Sequence, residues 1–288
     1  MGAVLDLLAA RFGGAAPPAR QEARDLIAAV LAAPRFWPTA NGARALSADE
    51  HSAIADAAER FSRGMPMAYA VRSAPFRALT LYVDERVLIP RPETELLVDL
   101  VLDATHGGSG TVIDVGTGSG CIALSLAAEG KFSRVIGTDV SEDALVVALL
   151  NGQRQAATGE PTPEFRLGSY LAPCVGDEAD VIVSNPPYIS HAEAAELPAL
   201  VRDWEPAVAL FSDDDGLSAI GAIAAQAAPI LRAGGMLALE VDSRRAGRAA
   251  ALVEAAGAYR DVIVRPDLAG KPRYVLARRS ATRGGVNA

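Results

Sequence analysis

Thr111-Val112-Ile113-Asp114-Val115-Gly116-Thr117-Gly118-Ser119-Gly120 decides how this chain folds. Val112 to Val115 is an apolar run that ends in turn-forming residues, which predicts a short strand buried on both faces. Glycines alternate through the next residues, and helical spacing begins near 119–128. The same alternation continues downstream. Val135-Ile136-Gly137, Val181-Ile182-Val183 and Met236-Leu237-Ala238-Leu239 are further apolar runs, and helices are expected near 141–151, 217–231 and 244–255. Continuous apolar strands separated by helices predict an α/β fold, with a mostly parallel sheet covered on both faces. At the end, Asp261-Val262-Ile263-Val264 and Tyr274-Val275-Leu276-Ala277 have no helix between them. Two strands in succession predict an antiparallel edge strand.

Upstream of the glycine loop the pattern is different. Leu5, Leu8 and Phe12 lie at helical spacing, with Gly13-Gly14 as a stop. A second helix carries Leu26, Ile27, Val30 and Leu31 and ends before Pro34. A third begins at Ser47, with Glu50 three residues on as a capping box, and presents Ile54, Ala58 and Phe61. Residues 1–62 are therefore expected to form a small helical domain without catalytic groups, either a substrate-docking element or a stabilising cap. Phe76, Leu79, Leu81, Val83 and Val87 flank the turn-like Asp84-Glu85, which predicts a β-hairpin within a linker over 63–92. Ile89-Pro90-Arg91-Pro92 closes that linker, because two prolines so close together fix an irregular connector. A helix is expected from Glu93 to Ala104. The catalytic domain spans 93–279, and a basic, patternless tail covers 280–288, beginning in charge at Arg278.

The chain has 288 residues, half of them hydrophobic, enough for one large domain and a smaller one. Its net charge of −8 gives no broad attraction to phosphate backbones, so stable nucleic-acid binding is not expected. Cys121 and Cys174 form no metal or disulfide framework, and His51, His106 and His191 match no ligand spacing, so no metal is expected. No apolar run reaches the roughly 18 residues of a membrane span, and the N-terminus lacks a basic leader region. A cytoplasmic protein is expected.

Two places carry chemistry. Asp114 and Gly116-Thr117-Gly118-Ser119-Gly120 lie between a strand and a helix. The glycines permit a tight turn and close approach to a ligand, and the helix N-terminus adds partial positive charge. The spacing is G-x-G-x-G, not the dinucleotide pattern. Asp114 suits a ligand with an ammonium group. Asp139 ends the second strand, where an acid accepts hydrogen bonds from two ribose hydroxyls; the alternative is a helix N-cap, a role for which Ser141 competes. The second place is Ser184-Asn185-Pro186-Pro187-Tyr188, at the carboxyl edge of another strand. The Asn185 side-chain oxygen and the Pro186 carbonyl can both accept from one –NH2 group, the prolines stiffen the loop, and Tyr188 can stack on a flat group. An amide or aryl amine is a poor nucleophile, and paired acceptors can aim its nitrogen at an electrophile.

The order Asp114, G-x-G-x-G, Asp139 resembles the class I S-adenosylmethionine methyltransferases. That implies a Rossmann-like sheet and S-adenosylmethionine as cofactor. Asp114, Gly116, Thr117, Gly118, Gly120, Asp139, Ser169 and Asn185 are the candidate cofactor residues. Residues 64–279 further resemble the HemK/PrmC family of peptide chain release factor glutamine N5-methyltransferases. The matching pieces are Leu88-Ile89-Pro90-Arg91-Pro92-Glu93-Thr94-Glu95, the glycine loop, Asn185-Pro186-Pro187-Tyr188-Ile189 and Asp267-Leu268-Ala269-Gly270. Asn-Pro-Pro-Tyr alone is shared with DNA and RNA amino-methyltransferases; the Ile-Pro-Arg-Pro-Glu-Thr-Glu stretch is more specific. The resemblance implies methyl transfer to N5 of the glutamine in the Gly-Gly-Gln motif of release factors. It makes Asn185, Pro186 and Tyr188 the catalytic residues. It adds Pro187, Arg91 and Glu93 to the substrate site and places Arg91, Pro92, Glu93 and Thr94 near the cofactor and the entrance, although Glu93 also reads as a plain helix N-terminal charge.

Three residues depart from the family pattern. Arg72 and Asp242 stand where glycine is usual, and Ser169 stands where an acid is usual that would contact the adenine amino group. A serine hydroxyl can still accept a hydrogen bond. Other acceptors stay open: another protein glutamine, such as one in a ribosomal protein, or an exocyclic amino group of adenine or cytosine. The nucleic-acid enzymes carry a basic recognition surface, which the N-terminal segment lacks. A non-enzymatic module that kept the fold would have lost Asn185 or the glycines.

Overall fold

The computed structural model describes residues 1–13 and 17–281. The chain divides into two compact units, one of Met1–Ser73 with Ala199–Trp204, the other of Ala74–Pro198 and the chain from Glu205 on. The first begins with helices α1 (Gly2–Phe12), α2 (Pro17–Val30), α3 (Trp37–Ala40), α4 (Ala48–Ser62) and α5 (Met67–Val71). Leu5, Leu8, Leu26, Ile27, Ile54 and Ala58 are buried together in its core, each large side chain contributing about 1.5–3 kcal/mol by leaving water. The capping box is present: the Glu50 amide donates to Ser47 Oγ at 3.1 Å and the Ser47 amide to Glu50 Oε2 at 2.9 Å. α3 and α5 are too short to show a period, so the sequence did not reveal them, and α5 lies inside the stretch expected to be hairpin linker.

Arg72, one of the three departures, caps α5 at φ 54° and ψ 40°, the left-handed region. Glycine belongs there because a side chain costs about 1–2 kcal/mol in that conformation. Glycine also gives back about 0.5–1 kcal/mol through its freer unfolded chain. Arg72→Gly is therefore expected to stabilise the protein by about 0.5–1 kcal/mol. A denaturant midpoint that stays put or falls would contradict this.

The second unit opens with a hairpin of β1 (Ala74–Phe76) and β2 (Leu79–Leu81), followed by α6 (Pro92–Ala104), with Pro92 at its first position. Then come β3 (Thr111–Val115), α7 (Cys121–Glu129), β4 (Arg134–Asp139), α8 (Glu142–Ala156), β5 (Glu164–Leu167) and β6 (Ala179–Ser184). A 3-10 helix over His191–Glu196 follows, and then three short α-helical turns: α9 (Ala199–Arg202), which belongs to the first unit, α10 (Ala207–Leu210) and the kinked α11 (Asp213–Gly216). The chain ends with α12 (Ser218–Ala227), β7 (Leu231–Glu240), α13 (Ala246–Ala255), β8 (Tyr259–Pro266) and β9 (Pro272–Arg279).

The expected α/β fold holds. Seven strands form one sheet in the order β5-β4-β3-β6-β7-β9-β8. All neighbours from β5 to β7 are parallel, and β9 runs antiparallel to both β7 and β8. Successive strand residues face opposite sides. Ile113, Ile136, Ile182 and Leu237 therefore pack with Ile220, Ile223, Ala249 and Val253, while Val112, Val135, Val181 and Met236 pack with Leu97, Val101, Ile122 and Leu126. Register places Val115 opposite both Thr138 and Ser184, and Ser184 opposite Leu239. The residues that follow, Gly116, Asp139, Asn185 and Glu240, thus line up along one carboxyl edge.

Several local expectations need correction. The hairpin turns at Arg77-Ala78, with Phe76 opposite Leu79, not at Asp84-Glu85. Arg77 takes a left-handed φ of 52°, and its side chain is held by Asp99 at 2.8 Å and Glu129 at 2.6 Å. Asp84 begins a separate reverse turn, in which the Val87 amide donates to its carbonyl. β7 begins at Leu231, inside the expected helix, because α12 stops at Ala227. Arg278 and Arg279 belong to β9, and the Ser280 amide donates to the Ala258 carbonyl at 2.9 Å. The rest of the expected tail, 282–288, and Gly14 of the expected helix stop lie outside the described residues. No described helix is long and apolar enough to cross a membrane.

Candidate active site

A cleft of about 320 Å³ opens at the carboxyl edge of the sheet. Gly116, Gly118, Asp139, Ser169, Asn185 and Pro187 line it, as do Arg86, His191, Phe211 and Asp213. A smaller cavity is lined by Arg91, Pro186, Tyr188 and again Asn185. Asn185 thus borders both. The structure brings most of the predicted residues together, though not all onto the cleft wall. Asp114, Thr117 and Gly120 are buried and support the loop; Glu93 is exposed in the first turn of α6 and lines neither cavity.

The glycine loop is held from below. Gly116 and Thr117 amides both donate to the Thr138 carbonyl, at 2.8 and 2.9 Å. Gly116 and Gly118 take φ of 72° and 53°, and a Cβ on either would meet no atom within 4 Å. The backbone there turns its bare face to open space, where a ligand can approach. Asp114 is fully buried; its Oδ2 accepts from Thr117 Oγ1 at 2.6 Å and the Ala123 amide at 3.2 Å, while Oδ1 has no partner among the described residues. Burial pushes this carboxyl up to about 7. An ammonium group would satisfy the orphaned oxygen and favour the ionised form.

Asp139 accepts from the Gly118 amide at 2.9 Å and from the Ser141 amide at 2.9 Å. Burial raises its pKa against those bonds. The α8 N-cap is Ser141, whose Oγ accepts from the Ala144 amide, so Asp139 is not spent on capping. Ser169 is exposed on the cleft wall. Orphaned acid, bare glycine cradle and strand-end acid together fit a nucleoside bearing a cationic amino-acid end.

The loop after β6 is fastened at several points. Ser184 Oγ donates to the Val115 carbonyl at 2.6 Å, tying it to the start of the glycine loop. The Ile189 amide donates to the Leu210 carbonyl at 3.0 Å, and the Ser212 amide to the Ile189 carbonyl at 2.9 Å. Gly216, at φ 79°, lies so close that a Cβ would meet the Tyr188 carbonyl oxygen at 2.2 Å, so only glycine fits. Pro186 is buried and Tyr188 half-buried, with burial pushing the phenol pKa up. Arg91 is ion-paired with Glu205, whose side chain is almost wholly buried. Asp242 accepts the Arg244 amide at 2.7 Å and has no need of glycine's conformations.

Sequence reasoning gave Thr94 no specific role and missed Glu240, His191 and Phe211. Asn185 Nδ2 donates to Thr94 Oγ1 at 3.0 Å, and Thr94 Oγ1 donates to Glu240 Oε2 at 2.8 Å. Glu240 ends β7 as Asp139 ends β4, and an acid closing an apolar strand was the available signal. His191 stacks on Phe211, with ring centroids 5.1 Å apart, on the cleft wall; nothing in their sequence spacing suggests the pair.

Residues 3–71 match the PrmC N-terminal domain, and residues 92–203 match the methyltransferase small domain. The chain is 42% identical over 224 residues to the release factor glutamine methyltransferase of Moorella thermoacetica, covering 77% of this chain and 78% of that one. It is 37% identical over 265 residues to the protein of the same name from Deinococcus radiodurans, covering 92% of each. Among solved structures, a methyltransferase from Pyrococcus furiosus superposes with a TM-score of 0.52 at 18% identity, over 71% of this chain and 91% of that one, a likeness of fold.

Proposed function

This chain belongs to the release factor glutamine methyltransferase family, and on that footing we propose that it methylates the side-chain amide nitrogen, N5, of the glutamine in the Gly-Gly-Gln motif of peptide chain release factors. It is a methyltransferase whose cofactor is S-adenosylmethionine. The observation that carries the proposal is the position of Asn185, which borders both the cleft of the glycine loop and the smaller cavity of Arg91, Pro186 and Tyr188.

The bound cofactor supplies a methyl group on a positively charged sulfur. Asp114 and the Gly116–Gly118 turn would hold its amino-acid end, Asp139 its ribose, and Ser169 would face its base. Asn185 Oδ1 and the Pro186 carbonyl accept the two N–H bonds of the glutamine amide. They would hold its nitrogen toward the methyl group, so that positioning lowers the barrier. The nitrogen would gain the methyl as the sulfur–methyl bond breaks, leaving a neutral thioether, and would give up one proton. Asn185 and Thr94 are not bases, and burial keeps Tyr188 protonated, so none of these three takes the proton, which is lost after transfer. Tyr188 and Arg91 shape the amide side of the site. The site works in the cytoplasm, where release factors act.

Transfer of labelled methyl from S-adenosylmethionine tests the class of acceptor. A release factor is expected to be labelled, with a ribosomal protein mixture and a nucleic-acid duplex left unlabelled. Label on either control in place of the release factor would overturn the reading.

The helical first unit docks the protein substrate in this account, since it carries helices and no catalytic groups. Removing residues 1–73 is expected to spare cofactor binding and methylation of a short Gly-Gly-Gln peptide, while raising KM for the intact factor. An unchanged KM would make the unit a stabilising cap.

A further inference from the structure

The Asn185 carboxamide has two nearly isosteric ends, and only its oxygen can accept an N–H bond from a substrate amide. Rotated by about half a turn, it would face the substrate with donors against donors. Something must fix its direction. Asn185 Nδ2 donates to Thr94 Oγ1 at 3.0 Å, and that hydroxyl donates to Glu240 Oε2 at 2.8 Å; Thr94 is 2% exposed. Glu240 is 1% exposed, and burying a carboxyl there is costly unless it serves. An ionised carboxylate only accepts, and a threonine hydroxyl has a single proton. When ionised Glu240 accepts that hydrogen bond, Thr94 can only accept from Asn185, so the –NH2 end is held inward.

We propose that Thr94 and Glu240 are positioning residues for methyl transfer: Glu240 orients the Thr94 hydroxyl, which locks the Asn185 carboxamide with its oxygen toward the substrate. The inference rests on the assignment of Asn185 as the amide acceptor. Neither residue touches the reacting atoms.

The relay also senses pH. Burial raises Glu240 to about 7, against its bond to Thr94 and the charge of Arg273. Glu93 and Arg91 on the α6 side, Tyr274 beside Arg273 on β9, Tyr188 of the catalytic loop and Cys121 of α7 also lie within electrostatic reach. Once protonated, Glu240 can donate to Thr94, and the lock loses its direction. At saturating cofactor, where Asp114 and Asp139 are held by ligand, kcat should fall as the pH drops through about 7.

Thr94→Val keeps the shape and removes the hydroxyl. It is expected to lower kcat on the order of 10-fold, with cofactor affinity unchanged and the fall in kcat below neutral pH flattened. Thr94→Ser should restore most of the rate, and Glu240→Gln, which cannot enforce a direction, should lie between. In an Asn185→Ala background, Thr94→Val should cost nothing more, because the hydroxyl acts only through Asn185. Wild-type kcat in Thr94→Val, equal loss in Thr94→Ser, or additive loss in the double variant would overturn the proposal. If Thr94→Val does not fold, Thr94→Ser and Glu240→Gln decide by the same rates and pH profiles. Full activity in Asn185→Ala alone would instead sink the assignment of Asn185, so the two failures are distinguishable.

Discussion

Asn185→Ala is expected to lower kcat by about 10²-fold or more at saturating cofactor, the usual cost of removing one positioned polar group from a transition-state site. Cofactor affinity and melting temperature should barely change. Asn185 is half-buried, and among the described residues its side chain makes one hydrogen bond, to Thr94. The loop is held without it, by Ser184 on Val115, by the backbone bonds between Ile189 and residues 210–212, and by Gly216 packed under Tyr188. Little fold energy therefore depends on the carboxamide. Asn185→Asp keeps the outline and an acceptor, and should retain part of the rate. Its carboxylate competes with Glu240 for the single Thr94 proton, so full recovery is not expected. Near-normal turnover in Asn185→Ala would make the loop a structural turn and place the chemistry elsewhere.

Asp139→Ala should weaken S-adenosylmethionine binding by about 1–3 kcal/mol, as expected for lost hydrogen bonds to a charged acceptor, which is about 5–150-fold in Kd. Two effects add. The ribose loses its partner, and the Gly118 amide loses the acceptor that ties the glycine loop to β4. Asp139→Asn separates them, because an amide oxygen can still accept from Gly118 while the charge is gone. Calorimetry reads both variants. Unchanged affinity in a folded Asp139→Ala protein would remove Asp139 from the cofactor site.

The parts of the fold legible in sequence were those where one physical demand dominated. Val112-Ile113-Asp114-Val115 had to be a central strand because both its faces are covered. Ser47 and Glu50 announced α4 through local capping bonds. β5 escaped because Glu164-Phe165-Arg166-Leu167 is an outer strand with only partial cover, so no apolar run marks it. The hairpin was placed one turn late because Arg77 adopts a left-handed φ without being glycine, and its partners Asp99 and Glu129 lie far along the chain. In the site, Gly116, Asp139 and Asn185 were readable because each ends or directly follows a strand. Thr94 and Glu240 join them across 146 residues, a contact that only the register of β6 on β7 and the start of α6 reveals. Arg91 was expected at the substrate, and Glu205 proves to be its partner.

The most direct test of the central claim is fragment mass spectrometry of a release factor incubated with this protein and S-adenosylmethionine. One added methyl group is expected on the glutamine of the Gly-Gly-Gln motif, located on the side-chain nitrogen and absent when the incubation uses Asn185→Ala. A methyl group on any other residue, or an unmodified glutamine under conditions where this protein binds its cofactor, would contradict it.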